Sequence, residues 1–193
     1  MTAVNNSDPT PAPRFADPAA LGLAAFGLTT FVLSFANAGW IPGGGVTVLG
    51  LALFYGGIGQ VIAGVWEFAN KNTFGATAFT SYGLFWMSAW FLLTSGIKPD
   101  GPGVGLFFLA WGIFTLYMVF AAIKTNLIIL LVFIALTLTF AFLSIGEFAN
   151  SGTIHNIGGY LGIVTAILAL YGSFATVINS TFKRVVLPVM PAK

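Results

Sequence analysis

The sequence predicts an all-α integral membrane protein with six transmembrane helices. Apolar runs, each about 20 residues long, follow one another from Leu21 to Ile178. Because an α-helix rises about 1.5 Å per residue, such a run crosses the hydrocarbon layer of a bilayer, which is roughly 30 Å thick. Only 6% of the 193 residues are charged, and the mean hydropathy is +0.95. A soluble domain of this length needs a much larger charged surface, so the expected surroundings are a lipid bilayer.

The spans follow from the apolar runs and from the turn residues between them. The breaks are rich in Gly, Pro, Asn, Asp and Ser, which are typical of turns. Asp17 before Pro18 predicts the start of the first helix, with Asp as its N-cap and Pro at the first helical position. Short loops predict antiparallel neighbours. The predicted spans are Leu21–Trp40, Val46–Trp66, Ala76–Ile97, Gly103–Ile123, Leu127–Ile145 and Ile157–Ile178.

One membrane domain, residues 21–180, is expected between two short polar ends. Residues 1–20 contain four prolines and too little apolar surface to fold alone, so they are expected to be a mobile cytoplasmic segment. They do not resemble a cleaved signal peptide, because the apolar run after them is too long. Residues 181–193 are expected to form a cytoplasmic C-terminal tail.

The basic residues predict the orientation in the membrane. Six spans put both chain ends on one side, and only Lys98 falls on the other side. Because cytoplasmic loops are enriched in Lys and Arg, a multi-pass protein of the cytoplasmic (inner) membrane with both termini inside is expected. The basic residues on the side of the termini are Arg14, Lys71, Lys124, Lys183, Arg184 and Lys193.

The composition argues against several classes of function. The chain has no cysteine and one histidine, His155, so neither a metal site nor a cofactor is expected. The basic residues are scattered rather than clustered, so no nucleic-acid partner is expected. No nucleophile–base pair typical of an enzyme is visible. No charge lies in the middle of a span, which argues against the buried charge relay of an ion-driven pump.

One face of the first span collects its polar residues. At about 100° per residue, Thr30 and Asn37 lie within about 40° of Phe26, and Thr29 and Ser34 flank them. In lipid such a face must turn inward. It either forms hydrogen bonds between helices or lines a polar pathway, and the pattern leaves both interpretations open.

Two repeated patterns concern the packing of helices. The tetrapeptide Glu-Phe-Ala-Asn at residues 67–70 recurs at residues 147–150. The recurrence suggests two inverted halves of three helices, as in many transporters, with a chance match as the alternative. Gly50, Gly57 and Gly64 recur every seven residues, which favours close helix packing over a pore-lining role.

Several motifs along nearly the whole chain resemble those of one membrane-protein family. The similar stretches are Asp17-Pro18-Ala19-Ala20-Leu21-Gly22-Leu23, Phe54-Tyr55-Gly56-Gly57, Asn72-Thr73-Phe74-Gly75, Thr77-Ala78-Phe79-Thr80-Ser81-Tyr82-Gly83, Trp111-Gly112-Ile113-Phe114-Thr115-Leu116 and Val186-Leu187-Pro188. The family is that of the acetate uptake transporters, also called succinate–acetate permeases. Asp17 and Ala20 depart from the Asn and Pro of the family's first motif.

The resemblance implies transport of acetate and, in some members, succinate. It implies a homohexameric ring of six-helix subunits, each with its own pathway. An apolar constriction would match Phe26, Tyr82 and Leu136. The matching pathway positions of polar character are Thr29, Thr30, Asn37, Gln60 and Thr137.

The sequence leaves the mechanism of transport open. Carboxyl pKa values lie at about 4, so acetic acid is mostly ionised at pH 7. Passage through an apolar ring then requires accompanying water, protonation of the solute or opening of the ring. An anion channel and a proton-coupled symporter both fit, and a channel for small neutral solutes is a further alternative. Glu67 is the candidate for proton coupling, with a helix-end cap at the interface as its other interpretation.

Overall fold

The structure is a computed structural model that describes residues 15–41, 43–97 and 99–191. Long helices dominate it: α1 Ala19–Asn37, α2 Val48–Ala69, α3 Thr73–Thr94, α4 Gly101–Ala122, α5 Leu127–Phe148 and α6 Gly152–Phe182. A short 3₁₀ turn, Gly44–Val46, precedes α2. In the described residues the only β-type pairing is one isolated bridge between Asn126 and Pro191. The predicted all-α fold is confirmed.

Five of these helices, all except α3, are long and apolar enough to cross a membrane. The third helix has 22 residues and therefore the required length, but Thr, Ser and Tyr side chains lower its hydropathy. The multi-pass membrane character predicted from the apolar runs is therefore confirmed. Residues 1–14, Lys98 and residues 192–193, which entered the predictions for the N-terminal segment and the charge pattern, lie outside the described residues.

Capping residues explain where the helices begin. α1 begins at Ala19 rather than with Pro18, and the Asp17 carboxylate accepts a hydrogen bond from the backbone N–H of Ala19 at 2.9 Å. α6 begins at Gly152, well before the predicted Ile157, because the Ser151 side chain caps it. Asparagine and aspartate side chains cap the other starts: Asn72 caps α3, Asp100 caps α4 and Asn126 caps α5.

The helices pack side by side into a ring in the order α3, α2, α1, α6, α5 and α4. Between α3 and α4 the backbones approach each other little, and aromatic side chains fill the space. The Phe85 ring centroid lies 5.1 Å from that of Trp111, and the Tyr82 ring centroid lies 5.5 Å from that of Phe114. The Tyr82 hydroxyl also lies 2.8 Å from the Thr115 hydroxyl. Large side chains, rather than helix contact, therefore close the ring.

Small residues allow close approach elsewhere in the ring. A Cβ added at Gly57 would lie 2.7 Å from Cγ of Met87, and one at Gly64 would overlap Thr80, so both glycines pack α2 against α3. Gly50, by contrast, has no neighbouring atom within 4 Å of its added Cβ. The packing interpretation of the seven-residue stripe thus fits Gly57 and Gly64, while Gly50 faces outward.

The first part of α2 is not an ordinary α-helix. Residues Leu51–Gly59 form a π-helical stretch, which ends directly before Gln60. Such stretches are rare and often lie next to functional sites, because they change the direction in which the following side chains point. Apart from its glycines, no sequence signal marks this stretch.

The two copies of the Glu-Phe-Ala-Asn motif end their helices differently. The carbonyl of Glu67 accepts the closing hydrogen bond of its turn from Asn72, whereas the equivalent bond after α5 runs from Ser151 to Gly146. The two turns are therefore offset by one residue relative to the motif. The two glutamates also differ in burial, since Glu67 is buried while Glu147 remains a quarter exposed. The inverted repeat stays a prediction.

We expect Gly64→Ala to destabilise the protein by about 1–3 kcal/mol, because the new methyl group meets the Thr80 backbone, which cannot move aside. Gly50→Ala is the matched control and should leave stability nearly unchanged. Thermal unfolding of both variants in the same detergent measures the difference. Equal melting temperatures for the two variants would contradict the packing assigned to Gly64.

Candidate transport pathway

A cavity of about 570 Å³ lies inside the ring, at the end where α1, α3 and α5 begin. Its mouth is polar and its deeper wall is apolar. The mouth carries Asp17, Glu67, Asn72, Thr125, Asn126, Thr176, Asn179 and Ser180. The deeper wall carries Leu23, Phe26, Phe74, Ala78, Phe79, Tyr82, Ile129, Val132, Phe133 and Leu136, with the polar Gln60 among them.

Local sequence rules explain the polar mouth. Helices that begin at this end need polar N-caps, and the caps Asn72 and Asn126 accept hydrogen bonds from the backbone N–H groups of Gly75 and Ile129. These same side chains border the cavity, so the capping requirement of two helices supplies part of a hydrophilic rim. Asp17 adds a carboxylate at the start of α1.

Three largely apolar side chains lie at the inner end of the cavity. Phe26 from α1, Tyr82 from α3 and Leu136 from α5 all border the cavity, and each is at most 5% exposed. The ring centroids of Phe26 and Tyr82 are 5.7 Å apart. The structure thus brings together the three residues for which the resemblance implied a constriction.

The hydroxyl group of Tyr82 does not point into the cavity. Thr115 donates its own hydroxyl hydrogen to the carbonyl of Trp111, so Tyr82 is the donor in the 2.8 Å bond between the two hydroxyls. Because α4 holds the polar end of Tyr82, the ring itself is what borders the cavity. The constriction is therefore apolar even though one of its members is a tyrosine.

Gln60 is the polar group deepest along the cavity wall. It is 1% exposed, and neither amide atom has a hydrogen-bond partner in the described part of the chain. Since a buried amide without partners is costly, its position at the cavity favours an interaction with a polar solute. One amide supplies both a donor and an acceptor, so it can bind either a carboxylate or a carboxylic acid.

Glu67 places a buried carboxyl group at the cavity mouth. It is 2% exposed, and its Oε2 accepts a 2.9 Å hydrogen bond from the side chain of Asn72. Its Oε1 has no hydrogen-bond partner among the described residues. A Cβ at Gly75 would lie 2.7 Å from this carboxyl, so the glycine makes the room that Glu67 occupies. Within the described residues no cation forms a salt bridge with it.

Four of the predicted pathway residues lie away from this cavity. Thr29 packs against Gly56 of α2 and donates its hydroxyl to the carbonyl of Ala25. Thr137 donates its hydroxyl to a backbone carbonyl of its own helix. Thr30 is buried one helical turn beyond Phe26. Asn37 is the last residue of α1 and lies at the end of the helix ring opposite the cavity mouth. The role of these four residues in a pathway stays a prediction.

Several residues of the cavity were not predicted as site residues. Asn72 and Asn126 could have been found, because an Asn directly before an apolar run is a typical helix N-cap. Asn179 and Thr176 lie within the last helix, and no sequence signal marks them. Their position depends on the way α6 packs between α1 and α5.

Fold and cavity define a class: a multi-pass membrane protein whose helix ring encloses a solute-sized space with an apolar inner end. The chain belongs to the GPR1/FUN34/yaaH family, whose profile matches residues 2–192. This finding confirms the family resemblance seen in the sequence.

Individual relatives cover most of the chain. "Succinate-acetate/proton symporter SatP" of Escherichia coli K12 is 39% identical over 181 residues, which are 91% of this chain and 96% of that protein. "Accumulation of dyads protein 2" of Saccharomyces cerevisiae is 44% identical over 183 residues, which are 88% of this chain but only 64% of that protein. The solved "Structure of the bacterial acetate channel SatP" matches with a TM-score of 0.87 at 39% identity and covers 91% of this chain and 99% of that one.

The cavity predicts a difference in water access between two isoleucines of α5. Ile129 borders the cavity, whereas Ile134 is 40% exposed on the outer, apolar surface. The chain has no native cysteine, so single cysteine variants can be labelled without background. In membranes, a hydrophilic thiol reagent added on the side of the termini should modify Ile129→Cys but not Ile134→Cys, because lipid excludes it from the latter. Equal labelling of the two would contradict the cavity.

Proposed function

We propose that the protein transports acetate and related small carboxylates, with succinate as a candidate, through the cavity and constriction of each subunit. The observation that carries the proposal is the continuity between the polar mouth, the buried amide of Gln60 and the apolar constriction. Acetate matches this arrangement, because it has one charged end and one apolar end. The names of the E. coli relative and of the solved structure support the same solute class. The protein would carry out no chemical conversion.

In this proposal the solute loses its hydration water in steps, and protein groups replace that water at each step. The polar rim receives the hydrated carboxylate, and the Gln60 amide then replaces part of its water shell. The methyl group of acetate would pack against Phe26 and Leu136, where water is excluded. Because a bare carboxylate is costly in an apolar ring, the ring must open or the solute must be protonated there.

Proton coupling, in this proposal, runs through Glu67. Its carboxyl borders the cavity, lacks a cationic partner among the described residues, and leaves one oxygen free of protein hydrogen bonds. It could therefore take up a proton at the mouth while the solute occupies the cavity. The name of one relative contains "proton symporter" and that of the solved structure "channel". We favour coupled uptake because of this buried carboxyl.

We further propose the orientation and the assembly. Lys71, Lys124 and Lys183 follow α2, α4 and α6 at the end of the ring where the cavity opens, so the mouth would face the cytoplasm. A homohexameric ring in the lipid bilayer agrees with the family resemblance. The apolar residues exposed on α4, such as Leu106, Ile113 and Phe120, would face lipid or a neighbouring subunit.

Uptake of radiolabelled acetate into proteoliposomes tests the proposal. Accumulation above the outside concentration when the outside is made more acidic, beyond that in protein-free liposomes, indicates coupled transport. Uptake that stops when the acetate concentrations inside and outside are equal indicates a channel. Competition by urea or ammonia as strong as that by formate would favour the neutral-solute alternative. Absence of protein-dependent uptake under all these conditions would reject transport of acetate.

Shortening a constriction residue should reduce selectivity. With Leu136→Ala we expect faster passage of carboxylates larger than acetate, and a loss of about tenfold in the preference for acetate, because the narrowest apolar contact is removed. Leu138→Ala, on the exposed side of the same helix, is the control and should retain the preference. If folded Leu136→Ala protein keeps the normal selectivity, the barrier that selects among carboxylates does not lie at Leu136.

The repeated tetrapeptide supplies a matched pair for the proton hypothesis. Glu67→Gln should abolish stimulation of acetate uptake by an acidic outside, because the amide cannot take up a proton. Glu147→Gln should retain that stimulation, since Glu147 pairs with His155 at the far end of α5, away from the cavity. Uptake is measured over a range of imposed pH gradients. A normal response in Glu67→Gln would remove Glu67 from the mechanism.

A further inference from the structure

The chain turns back on itself after α6. Lys183 ends the helix with a left-handed backbone conformation, at a φ of 52°, and the following residues run toward the start of α5. We call residues 184–191 the C-terminal strap. Leu187 and Val189 are half-buried, while Val186, Pro188 and Met190 are exposed, so alternate residues of this irregular segment face the ring.

Asn179 anchors the first part of the strap. Its Oδ1 accepts hydrogen bonds from the backbone N–H groups of Val186, at 2.7 Å, and Leu187, at 2.9 Å. Its Nδ2 donates to the carbonyl of Leu187 at 2.8 Å. One amide side chain thus makes three hydrogen bonds to the strap, which occupy both acceptor positions of its oxygen and one of its two N–H donors. Although Asn179 borders the cavity, these bonds leave it little capacity to bind a solute.

The end of the strap is held by the opposite side of the groove between α6 and α5. The backbone N–H of Leu127 donates to the carbonyl of Met190 at 3.0 Å, and Asn126 pairs with Pro191. Between these anchors Val189 borders the cavity. The strap therefore runs along one side of the mouth, between the ends of the neighbouring helices α6 and α5, and Val189 forms part of the wall.

The contacts that hold the strap are of a kind that can open without unfolding the ring. They are a few hydrogen bonds near the surface, and the outward-facing Val186 and Met190 remain largely exposed. Segments with few buried apolar contacts open at the lowest free-energy cost. The helix ring, in contrast, is held by side chains in a continuous core.

We propose that the C-terminal strap is a movable cover of the cavity mouth, and that Asn179 is the positioning residue that keeps it closed. This proposal rests on the proposed function in one respect, namely that a solute passes through the mouth. When the strap lifts, Val189 leaves the wall and the rim between Asn126 and Asn179 widens. The strap would set the rate of access to the cavity from the side of the termini.

Thiol labelling tests the strap without any transported solute. Asn179→Ala removes the three hydrogen bonds that this side chain makes to the strap, so the labelling rate of a cysteine at Ile129 should rise about tenfold as the open form becomes more populated. Asn179→Asp keeps the two bonds in which the side chain accepts and loses the one in which it donates, so it should give an intermediate rate. Thr181→Ala, an exposed change in the same helical turn, is the control. An unchanged labelling rate in folded Asn179→Ala and Asn179→Asp would overturn the proposal.

A reversible lock tests its effect on transport. Paired residues of an antiparallel bridge have Cα atoms about 4.5–5.5 Å apart, which suits a disulfide, so Asn126→Cys with Pro191→Cys can fix the strap in place. Oxidation should lower acetate uptake about tenfold, and reduction should restore it. Asn126 also caps α5 and borders the mouth, so each single variant serves as its own reference and should give the same uptake under oxidising and under reducing conditions. Equal uptake by the oxidised and the reduced double variant would refute the proposal that the strap covers the mouth.

Lack of acetate uptake by the unaltered chain would instead reject the proposed function. The thiol-labelling experiment, which needs no transported solute, would then be the test of the strap.

Discussion

The hydrogen bond between Tyr82 and Thr115, within its cluster of aromatic rings, is the interaction on which the rest of the structure depends. The backbones of α3 and α4 approach each other little, so this side-chain contact closes the helix ring. The same tyrosine forms one side of the constriction together with Phe26. Because α4 holds its hydroxyl, only the ring of Tyr82 faces the cavity. Ring closure and the apolar barrier are therefore coupled through one residue.

The bilayer imposes the second constraint, since lipid offers no partner for polar groups. The chain meets it by placing polar side chains at helix ends or inside the ring. The caps Asn72 and Asn126 serve the backbone of α3 and α5, and they also make the cavity mouth hydrophilic. Glu67 and Gln60 then place two further polar groups along the same wall. The pathway is thus built largely from groups that the fold needs at those positions for other reasons.

Length and hydropathy were sufficient to predict the six helices. The hydrocarbon layer has a nearly fixed thickness and a helix has a fixed rise per residue, so the length of each apolar run indicates a helix that crosses the layer. The positions that depend on packing were not predictable in the same way. Thr29 shares the polar face of α1 with Phe26, yet it packs on Gly56 because α2 approaches there. The π-helical stretch before Gln60 and the contribution of Asn179 to the mouth also arise from tertiary contacts. Resemblance, rather than periodicity, indicated that Phe26, Tyr82 and Leu136 would lie together, and all three border the cavity.

In the proposed mechanism two barriers lie in series. Phe26, Tyr82 and Leu136 would close the inner end of the cavity, and the C-terminal strap would cover its mouth. A channel requires both barriers to be open at once, whereas coupled transport requires that they open in turn. Glu67 lies between them, so a proton taken up there would share an enclosed space with the solute. The distinction between channel and symporter is thus a question of whether the strap and the ring ever open together, rather than of what lines the pathway.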